Sequence, residues 1–147
     1  MKSSKYTFKR WFEHCCAFNM LASQAGVWKF RYLFHDLDKP FMSLLFSENK
    51  VRKIHRDWFN HHCECRFNCP QTVDWEAVAV DWECSRYSKS NILSAYETML
   101  LWLDPNEPRY SIDNFKILVK NLFPILVEFG WVTTPQIEHI RMIMKSL

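Results

Sequence analysis

Glycine is the residue type that this sequence most lacks. Gly26 and Gly130 are the two glycines among 147 residues. Loops that hold phosphate with backbone amides, such as the Walker loop and the dinucleotide-binding fingerprint, need two or three glycines within about eight residues. Two glycines this far apart exclude both motifs. Tight β-hairpins also rely on glycine, so its scarcity favours helices over a sheet.

The sequence also lacks a long apolar run and a strong excess of charge. Its amino-terminal segment contains no apolar stretch typical of a signal peptide. The longest uncharged stretch, 15–28, includes polar residues and is shorter than the roughly 18 to 20 apolar residues of a membrane span. The net charge of +3 is too small to predict a nucleic-acid-binding surface. We therefore expect a cytoplasmic protein whose partners include neither a membrane nor nucleic acid.

Aromatic side chains, in contrast, are abundant: twelve phenylalanines, seven tryptophans and five tyrosines. Hydrophobic residues form 48% of the chain, and a chain of this length buries roughly two thirds of its unfolded surface. We therefore expect a fold that needs no disulfides. Six cysteines in a reducing compartment are then predicted to be buried thiols or metal ligands.

Apolar residues recur at helical spacing along most of the chain, which predicts an all-α bundle of six or seven helices. The predicted helices cover 6–24, 26–36, 47–62, 74–87, 90–103 and 111–123, with a bend at Pro124 and a last helix from about Pro135. Thr134 is the expected cap of that last helix because a proline follows it.

Prolines and polar residues indicate where the helices are interrupted. An Asp-Lys-Pro break is expected at 38–40 and an irregular segment at 63–73. The clearest linker is 104–108, which contains two prolines. We therefore predict a helical domain at 1–104 and a helical extension, 105–147, packed on it.

The histidines are concentrated in one part of the sequence, since five of the six lie between His14 and His62. Histidine is the commonest metal-binding side chain, and an adjacent His-Asp pair suits divalent transition metals. His35 and Asp36 form such a pair after an apolar segment. Asp81 follows an apolar run, and burying a lone carboxylate costs several kcal/mol. A metal ion is one partner that would offset this cost.

The order of these residues resembles the HD-domain superfamily of metal-dependent phosphohydrolases. It is most similar to a small uncharacterised HD-like family of bacteria and phages. The resemblance covers roughly residues 8–100. Three motifs carry it: His35-Asp36-Leu37-Asp38-Lys39, Asn60-His61-His62 and Asp81-Trp82-Glu83-Cys84-Ser85-Arg86.

The resemblance implies an HD-like helical bundle that hydrolyses a nucleotide or another small phosphorylated compound with a divalent metal (Mn, Co, Mg, Fe, Ni or Zn). One ion would be surrounded by His14, His35, Asp36 and Asp81. A second ion, or the phosphate, would be contacted by His55, His61 and His62. The implied catalytic residues are Asp36, Lys39 and His61, and the implied substrate-binding residues are Lys39, Arg86 and Lys89.

Two details of these motifs leave alternatives open. Asp38 replaces the small residue usual in the family, and we expect it either to hydrogen-bond a ligand histidine or to weaken the binding of an anionic substrate. On a helix, His61 and His62 would project about 100° apart, so one of them, with His61 favoured, is expected to join a given ion.

Three other functions compete with the hydrolase. One is a non-catalytic HD-like metal-binding scaffold or assembly protein, located in the host cytoplasm or the virion if phage-encoded, with 112–147 as the surface for a partner or a second copy. Another is a structural zinc site, although the cysteine spacings differ from the usual pairs; its ligands would be His61, His62, Cys63, Cys65, Cys69 and Cys84. The third is base stacking by the aromatic and basic residues of 29–32, against which the small net charge argues.

Overall fold

The computed structural model describes residues 7–88 and 93–147, and the predicted all-α class is confirmed there. Within these residues the chain forms eight α-helices and no strand. None of the described helices is both long and apolar enough to cross a bilayer. The helices are α1 (Phe8–Gln24), α2 (Asp38–Met42), α3 (Glu48–Trp58), α4 (Trp75–Ser88), α5 (Ala95–Leu100), α6 (Ile112–Asn121), α7 (Phe123–Glu128) and α8 (Thr134–Ser146). Short 3₁₀ turns lie at Phe30–Phe34, Cys63–Cys65, Pro70–Thr72 and Leu101–Leu103.

The packing of α1 against α4 positions the residues of interest. Phe18, Leu21 and Ala22 of α1 share an apolar cluster with α4 residues Ala77 and Val80. Every residue of α4 from Ala77 to Ser85 is buried, as expected for a helix covered on all sides. His14 and Asp81, one on each helix, are consequently held in the interior.

The opposite side of α4 belongs to a second and larger core. Trp82 stacks on Trp102 with ring centroids 5.4 Å apart and an interplanar angle of 19°. Phe115, Leu118 and Leu126 are fully buried in the same cluster. Helices α6 to α8 therefore share one core with α4 and α5, and the domain division at residue 104 stays a prediction.

Two short elements differ from the sequence prediction around residue 36. The predicted helix 26–36 is limited to the 3₁₀ turn Phe30–Phe34, and α2 occupies the predicted break at 38–40. The prediction of a break at 38–40 was wrong, because Pro40 is the third residue of α2. In the first turn of a helix the backbone N–H has no intrahelical acceptor, so proline is tolerated there.

Three helix ends also differ from the prediction. Helix α3 ends at Trp58 rather than residue 62, because Phe59 is extended with φ −102° and ψ 133°. Helix α8 is capped by Thr133 rather than Thr134, and Gln136 Oε1 accepts a hydrogen bond of 2.8 Å from Thr133 N. Helix α5 begins at Ala95; of its predicted start, residues 90–92 lie outside the described residues.

Candidate metal centre

Seven histidine and aspartate side chains converge between α1, α3 and α4. They come from α1, the segment after the first 3₁₀ turn, α3, the loop after α3, and α4. They fall into two groups that share Asp36, and within each group the candidate ligand atoms lie within 4.8 Å of one another. All seven candidate metal ligands from the sequence are thus brought together: His14, His35, Asp36, His55, His61, His62 and Asp81.

The first group consists of His14, His35, Asp36 and Asp81, all of which are buried. His14 Nε2 lies 3.0 Å from Asp81 Oδ1 and 3.6 Å from Asp36 Oδ2. His35 Nε2 lies 3.5 Å from Asp81 Oδ1 and 3.6 Å from Asp36 Oδ1. Two ligands about 2.1 Å from a tetrahedral ion are separated by about 3.4 Å. The spacing of this group therefore fits a metal ion.

The second group consists of Asp36, His55, His61 and His62. His55 Nε2 lies 2.8 Å from Asp36 Oδ1 and 3.3 Å from His61 Nε2. His61 Nε2 is in turn 3.3 Å from Asp36 Oδ1. The His62 ring completes the group, with its centroid 4.3 Å from that of His61.

Both His61 and His62 belong to this second group. The expectation that one of them, with His61 favoured, would join a given ion stays a prediction. It assumed that the predicted helix continued to residue 62. Because α3 ends at Trp58, the two histidines lie in a loop, and the extended backbone of His62 (φ −108°, ψ 102°) brings its ring beside that of His61.

Several buried nitrogens of the cluster lack hydrogen bonds. Among the described residues, Nε2 of His14, His35 and His62 has no hydrogen-bond partner; the first two meet carboxylate oxygens without hydrogen-bond geometry. Buried polar atoms are normally satisfied, and each unsatisfied one costs about 1–3 kcal/mol. A cation in the first group would satisfy His14 and His35, and one in the second group would satisfy His62, so the residues present fit a metal in each group.

The other ring nitrogens of two histidines are held by neighbouring side chains. His14 Nδ1 lies 2.9 Å from Ser88 Oγ, and His55 Nδ1 lies 2.7 Å from Asp38 Oδ2. Metal-binding histidines characteristically use their second nitrogen in this way, which fixes the ring and its tautomer. The contact between Asp38 and His55 agrees with the first of the two expectations for Asp38.

Asp36 has an unusual backbone. Its φ of 60° is the one positive φ of a non-glycine residue in the described part of the chain. Aspartate is among the few non-glycine residues that adopt this left-handed conformation readily. Such conformations concentrate at functional sites, where the surrounding packing enforces them. Here the turn directs the Asp36 carboxylate into both groups.

Burial and charge set the protonation of the cluster. Burial lowers the pKa of His35 to about 4 and that of His62 to about 2. Both rings are therefore neutral near pH 7 and need not release a proton to bind a metal. Burial opposes the ionisation of Asp36, but His35, Lys39 and the hydrogen bonds from His55 and His61 hold the pKa of Asp36 well below its usual range. Asp36 is consequently ionised at neutral pH, as a metal ligand would need to be.

The three candidate substrate-binding cations are placed differently. The Lys39 ammonium forms an ion pair with Asp36, beside the cluster. Arg86 Nη1 lies 2.9 Å from Glu83 Oε1, and Glu83 Oε2 accepts a hydrogen bond of 2.8 Å from Ala95 N at the start of α5. Lys89 lies outside the described residues. The substrate-binding roles of all three stay predictions.

The cysteines do not form the alternative zinc site. Cys63 is buried, whereas Cys65 and Cys69 are exposed, and all six cysteines are free thiols. Among the described residues, neither candidate metal group contains a cysteine. Cys84 instead lies in the interior, with its Sγ 3.5 Å from His14 Nδ1.

A pocket of about 200 Å³ connects the cluster with solvent. Buried His35, Asp36 and His61 line its floor, and the more exposed Phe34 and Phe59 line its mouth. Sequence reasoning missed these two aromatic residues as site residues. Their positions in the sequence could have indicated them, because Phe34 directly precedes the His-Asp pair and Phe59 directly precedes the Asn-His-His motif.

Comparisons with known proteins add no assignment. No protein-family model matches this sequence, and searches of curated proteins and of solved structures give no match. The resemblance to the HD superfamily therefore stays a prediction. What the site does has to be argued from its residues and their geometry.

Proposed function

We propose that the protein is a divalent-metal-dependent phosphohydrolase acting on a nucleotide or another small phosphorylated compound. One observation carries the proposal: the buried Asp36 carboxylate is shared by two histidine-rich groups of metal-ligand size. A divalent ion bound there would supply Lewis-acid activation of water and of phosphoryl oxygens. His35 and His62, which are neutral near pH 7, and the ionised Asp36 are in the protonation states that hold such an ion.

The donor set favours particular metals. One ion would be held by His14, His35, Asp36 and Asp81, and a second by Asp36, His55, His61 and His62. Imidazole nitrogens outnumber carboxylates in this set, and imidazole suits zinc, copper, iron and nickel better than magnesium. We therefore expect a transition metal from the predicted list rather than Mg²⁺.

Residues around the pocket fit a small phosphorylated substrate. Pockets for drug-sized ligands measure about 300–1,000 Å³, so one of about 200 Å³ has room for a phosphoryl group and little else. The remainder of the substrate would lie at the mouth, where Phe34 and Phe59 offer rings on which a base can stack. Lys39 does not line the pocket, but it pairs with Asp36 at the floor and would there offset negative charge on phosphoryl oxygens.

Metal analysis of the purified protein tests the site. We expect bound metal in the wild type and its loss in His35→Ala and Asp36→Asn. Asparagine tolerates the left-handed backbone of Asp36, so this variant removes a charge without imposing a new conformation. Asp57→Asn, at an exposed position near the end of α3, is the matched control and should retain metal. Unchanged metal content in both site variants would refute the assignment.

A phosphatase assay with Mn²⁺, Co²⁺ or Mg²⁺ and a panel of nucleotides and small phosphate esters tests the reaction. We expect hydrolysis by the wild type that Asp36→Asn lowers about a hundredfold or more. A wild type that binds metal but hydrolyses nothing in the panel would refute the enzyme and favour the non-catalytic scaffold.

A further inference from the structure

An exposed apolar turn runs from the end of α2 towards α3. We define the apolar tip as Phe41, Leu44, Leu45 and Phe46. Leu44 is 73% exposed and Leu45 79%. Large aliphatic side chains exposed to this degree on neighbouring residues mark an interaction site.

The backbone explains why the tip projects from one side. Leu44 N donates to Phe41 O at 3.2 Å, and Phe46 N donates to Met42 O at 2.9 Å. These bonds continue the helical winding of α2 through the turn. Residues 41, 44 and 45 therefore share one face, and that face is exposed, whereas Pro40 on the same helix is fully buried.

The start of α1 widens this apolar surface. The Phe8 ring meets the Phe41 ring edge to face, with centroids 5.1 Å apart. Phe8 is 47% exposed, and Phe12, one helical turn later, is 61% exposed. Phe8, Phe41 and the leucines thus form a connected surface.

Positive charge flanks the tip. Residues 41–58 contain four cations, Lys50, Arg52, Lys53 and Arg56, and two carboxylates, Glu48 and Asp57. Lys50, Lys53 and Arg56 are exposed, whereas Val51 and His55 fill the buried face of α3. Lys50 Nζ lies 4.3 Å from the centre of the Phe46 ring, so the basic face of α3 directly adjoins the apolar tip.

We propose that this surface binds an anionic lipid bilayer, whereas the sequence alone led us to expect no membrane partner. The apolar tip would enter the headgroup region, and the basic face of α3 would contact lipid phosphates. Lysine and arginine side chains near an anionic membrane surface are attracted to it, and apolar side chains buried in the headgroup region strengthen the binding. Trp58, which is 77% exposed at the end of α3, is a residue type enriched at membrane interfaces.

A bilayer fits this surface better than a second copy of the chain does. Two copies docked tip to tip about a two-fold axis would bring their basic α3 faces together, and like charges oppose such a contact. A bilayer accepts protruding leucines without a complementary groove, and its anionic headgroups attract the cations beside them. The protein would then lie on the membrane as a peripheral protein.

The tip is physically linked to the metal centre, although this inference does not depend on the proposed function. Helix α2 carries Phe41 at the surface and Asp38 at the centre, where Asp38 contacts His55. Lys39, on the same helix, forms an ion pair with Asp36. Docking through the tip would therefore bring the metal centre close to the lipid headgroups.

Vesicle co-sedimentation of the full chain tests this proposal. The probes are vesicles of phosphatidylcholine alone and of phosphatidylcholine mixed with phosphatidylglycerol, each at low and high salt. We expect binding to the anionic vesicles that is at least about tenfold tighter than to the neutral ones and that weakens with salt.

Two double variants separate the apolar from the electrostatic contribution. Leu44→Ser with Leu45→Ser, and Lys50→Glu with Lys53→Glu, should each weaken binding about tenfold or more. Val127→Ser with Met142→Ser is the apolar control, and Lys120→Glu with Lys145→Glu imposes the same change of net charge elsewhere. Both control pairs should bind like the wild type. If a double variant fails to fold by circular dichroism, the single variants Leu45→Ser and Lys53→Glu replace it.

Three results would overturn the proposal. One is a wild type that does not bind anionic vesicles at low salt. Another is a loss of binding to anionic vesicles that is as large in the control variants as in the tip variants. The third is a wild-type dimer that the leucine variants convert to monomers in size-exclusion chromatography without any lipid binding, because the tip would then be a contact between copies.

Discussion

Two aspartates, two residues apart in the sequence, have different positions in the candidate metal centre. Asp36 points its carboxylate among the candidate ligands of both groups. Asp38 lies behind one of those ligands, with Oδ2 2.7 Å from His55 Nδ1. Burial opposes a charge on His55, but the hydrogen bonds to Asp36 and Asp38 prevail and raise the pKa of His55. Asp38 is therefore placed to orient His55 without itself reaching an ion.

Asp38→Asn should weaken metal binding without abolishing it. Loss of a carboxylate behind a ligand histidine typically costs about 10–100-fold in metal affinity, because the ring loses its orientation and part of its basicity. Competition with a chromophoric chelator would measure the change. Asp57→Asn, on the exposed side, should bind metal like the wild type. Equal affinity of Asp38→Asn and the wild type would show that the carboxylate does not act on His55 in this way.

The candidate ligand set could be predicted from the sequence, but its geometry could not. The His-Asp pair and the clustered histidines indicated a metal site, and the apolar run before Asp81 indicated a buried carboxylate. The full set of seven residues was what the resemblance to the HD superfamily implied. The positive φ of Asp36 could not be predicted, since the same dipeptide fits a helix end. The joint position of His61 and His62 depends on where α3 stops, which short-range spacing does not determine.

Among the helices, α5 depends most clearly on its first turn. It has six residues, and isolated helices of that length are unstable. Ser94 Oγ accepts a hydrogen bond from Glu97 N at 3.2 Å, and the Glu97 carboxylate accepts one of 2.8 Å from Ser94 N. The backbone hydrogen bond from Ser94, and then that from its side chain, lowers the pKa of Glu97.

Glu97→Ala should destabilise the fold in a pH-dependent way. The folded-state pKa of Glu97 lies below its unfolded value, so its stabilisation is complete above the unfolded pKa and is lost as pH falls through the folded pKa. Because Glu97 is largely exposed, we expect a loss of about 0.5 kcal/mol in the free energy of unfolding near neutral pH. That loss should shrink in acid.

Urea unfolding over a range of pH measures this effect. Glu97→Gln is the control, because glutamine can keep the same hydrogen bonds without titrating. The difference in the free energy of unfolding between Glu97→Gln and Glu97→Ala should therefore persist in acid. The difference in that free energy between the wild type and Glu97→Ala should shrink. A wild-type advantage over Glu97→Ala that is identical at every pH would contradict the assignment.

The sequence predicted long helices better than short ones. Helices α1, α4, α6 and α8 lie within about two residues of the predicted segments, because each repeats its apolar spacing over several turns. Helix α2 has five residues and was missed. It is too short to show a period, and its formation relies on the burial of Pro40 in the folded molecule.

At the scale of the whole molecule, the candidate metal centre connects three helices. Its ligands come from α1, α3 and α4 and from the two loops at 35–36 and 61–62. An ion that binds the folded but not the unfolded chain stabilises the fold by mass action. Metal binding and global stability should consequently be coupled.

Saturating metal should raise the thermal unfolding midpoint. An ion at about a hundred times its dissociation constant adds about 2.7 kcal/mol, which for a chain of this size corresponds to a shift of about 5–10 °C. Calorimetry with added metal and with a chelator would measure it. Asp36→Asn should show little shift. An equal shift in that variant, or none in the wild type, would place the stabilising ion elsewhere or exclude it.

The fold class followed from composition and periodicity, but the arrangement of the cores did not. Scarce glycine and helical spacing predicted an all-α protein. That α4 would contribute to two cores could not be predicted, because the partners of its two sides, Phe18 and Trp102 among them, lie on opposite sides of it in the sequence. Only long-range packing brings them to the same helix.

The burial of nine consecutive residues in the middle of α4 restricts how this protein can change during evolution. From Ala77 to Ser85 every side chain is buried, so a substitution there risks perturbing either the neighbouring Asp81 or one of the cores. The mouth of the pocket is built differently, from exposed side chains such as Phe34 and Phe59. Substitutions should therefore accumulate around the mouth of the pocket, while residues 77–85 stay nearly constant among descendants of this chain.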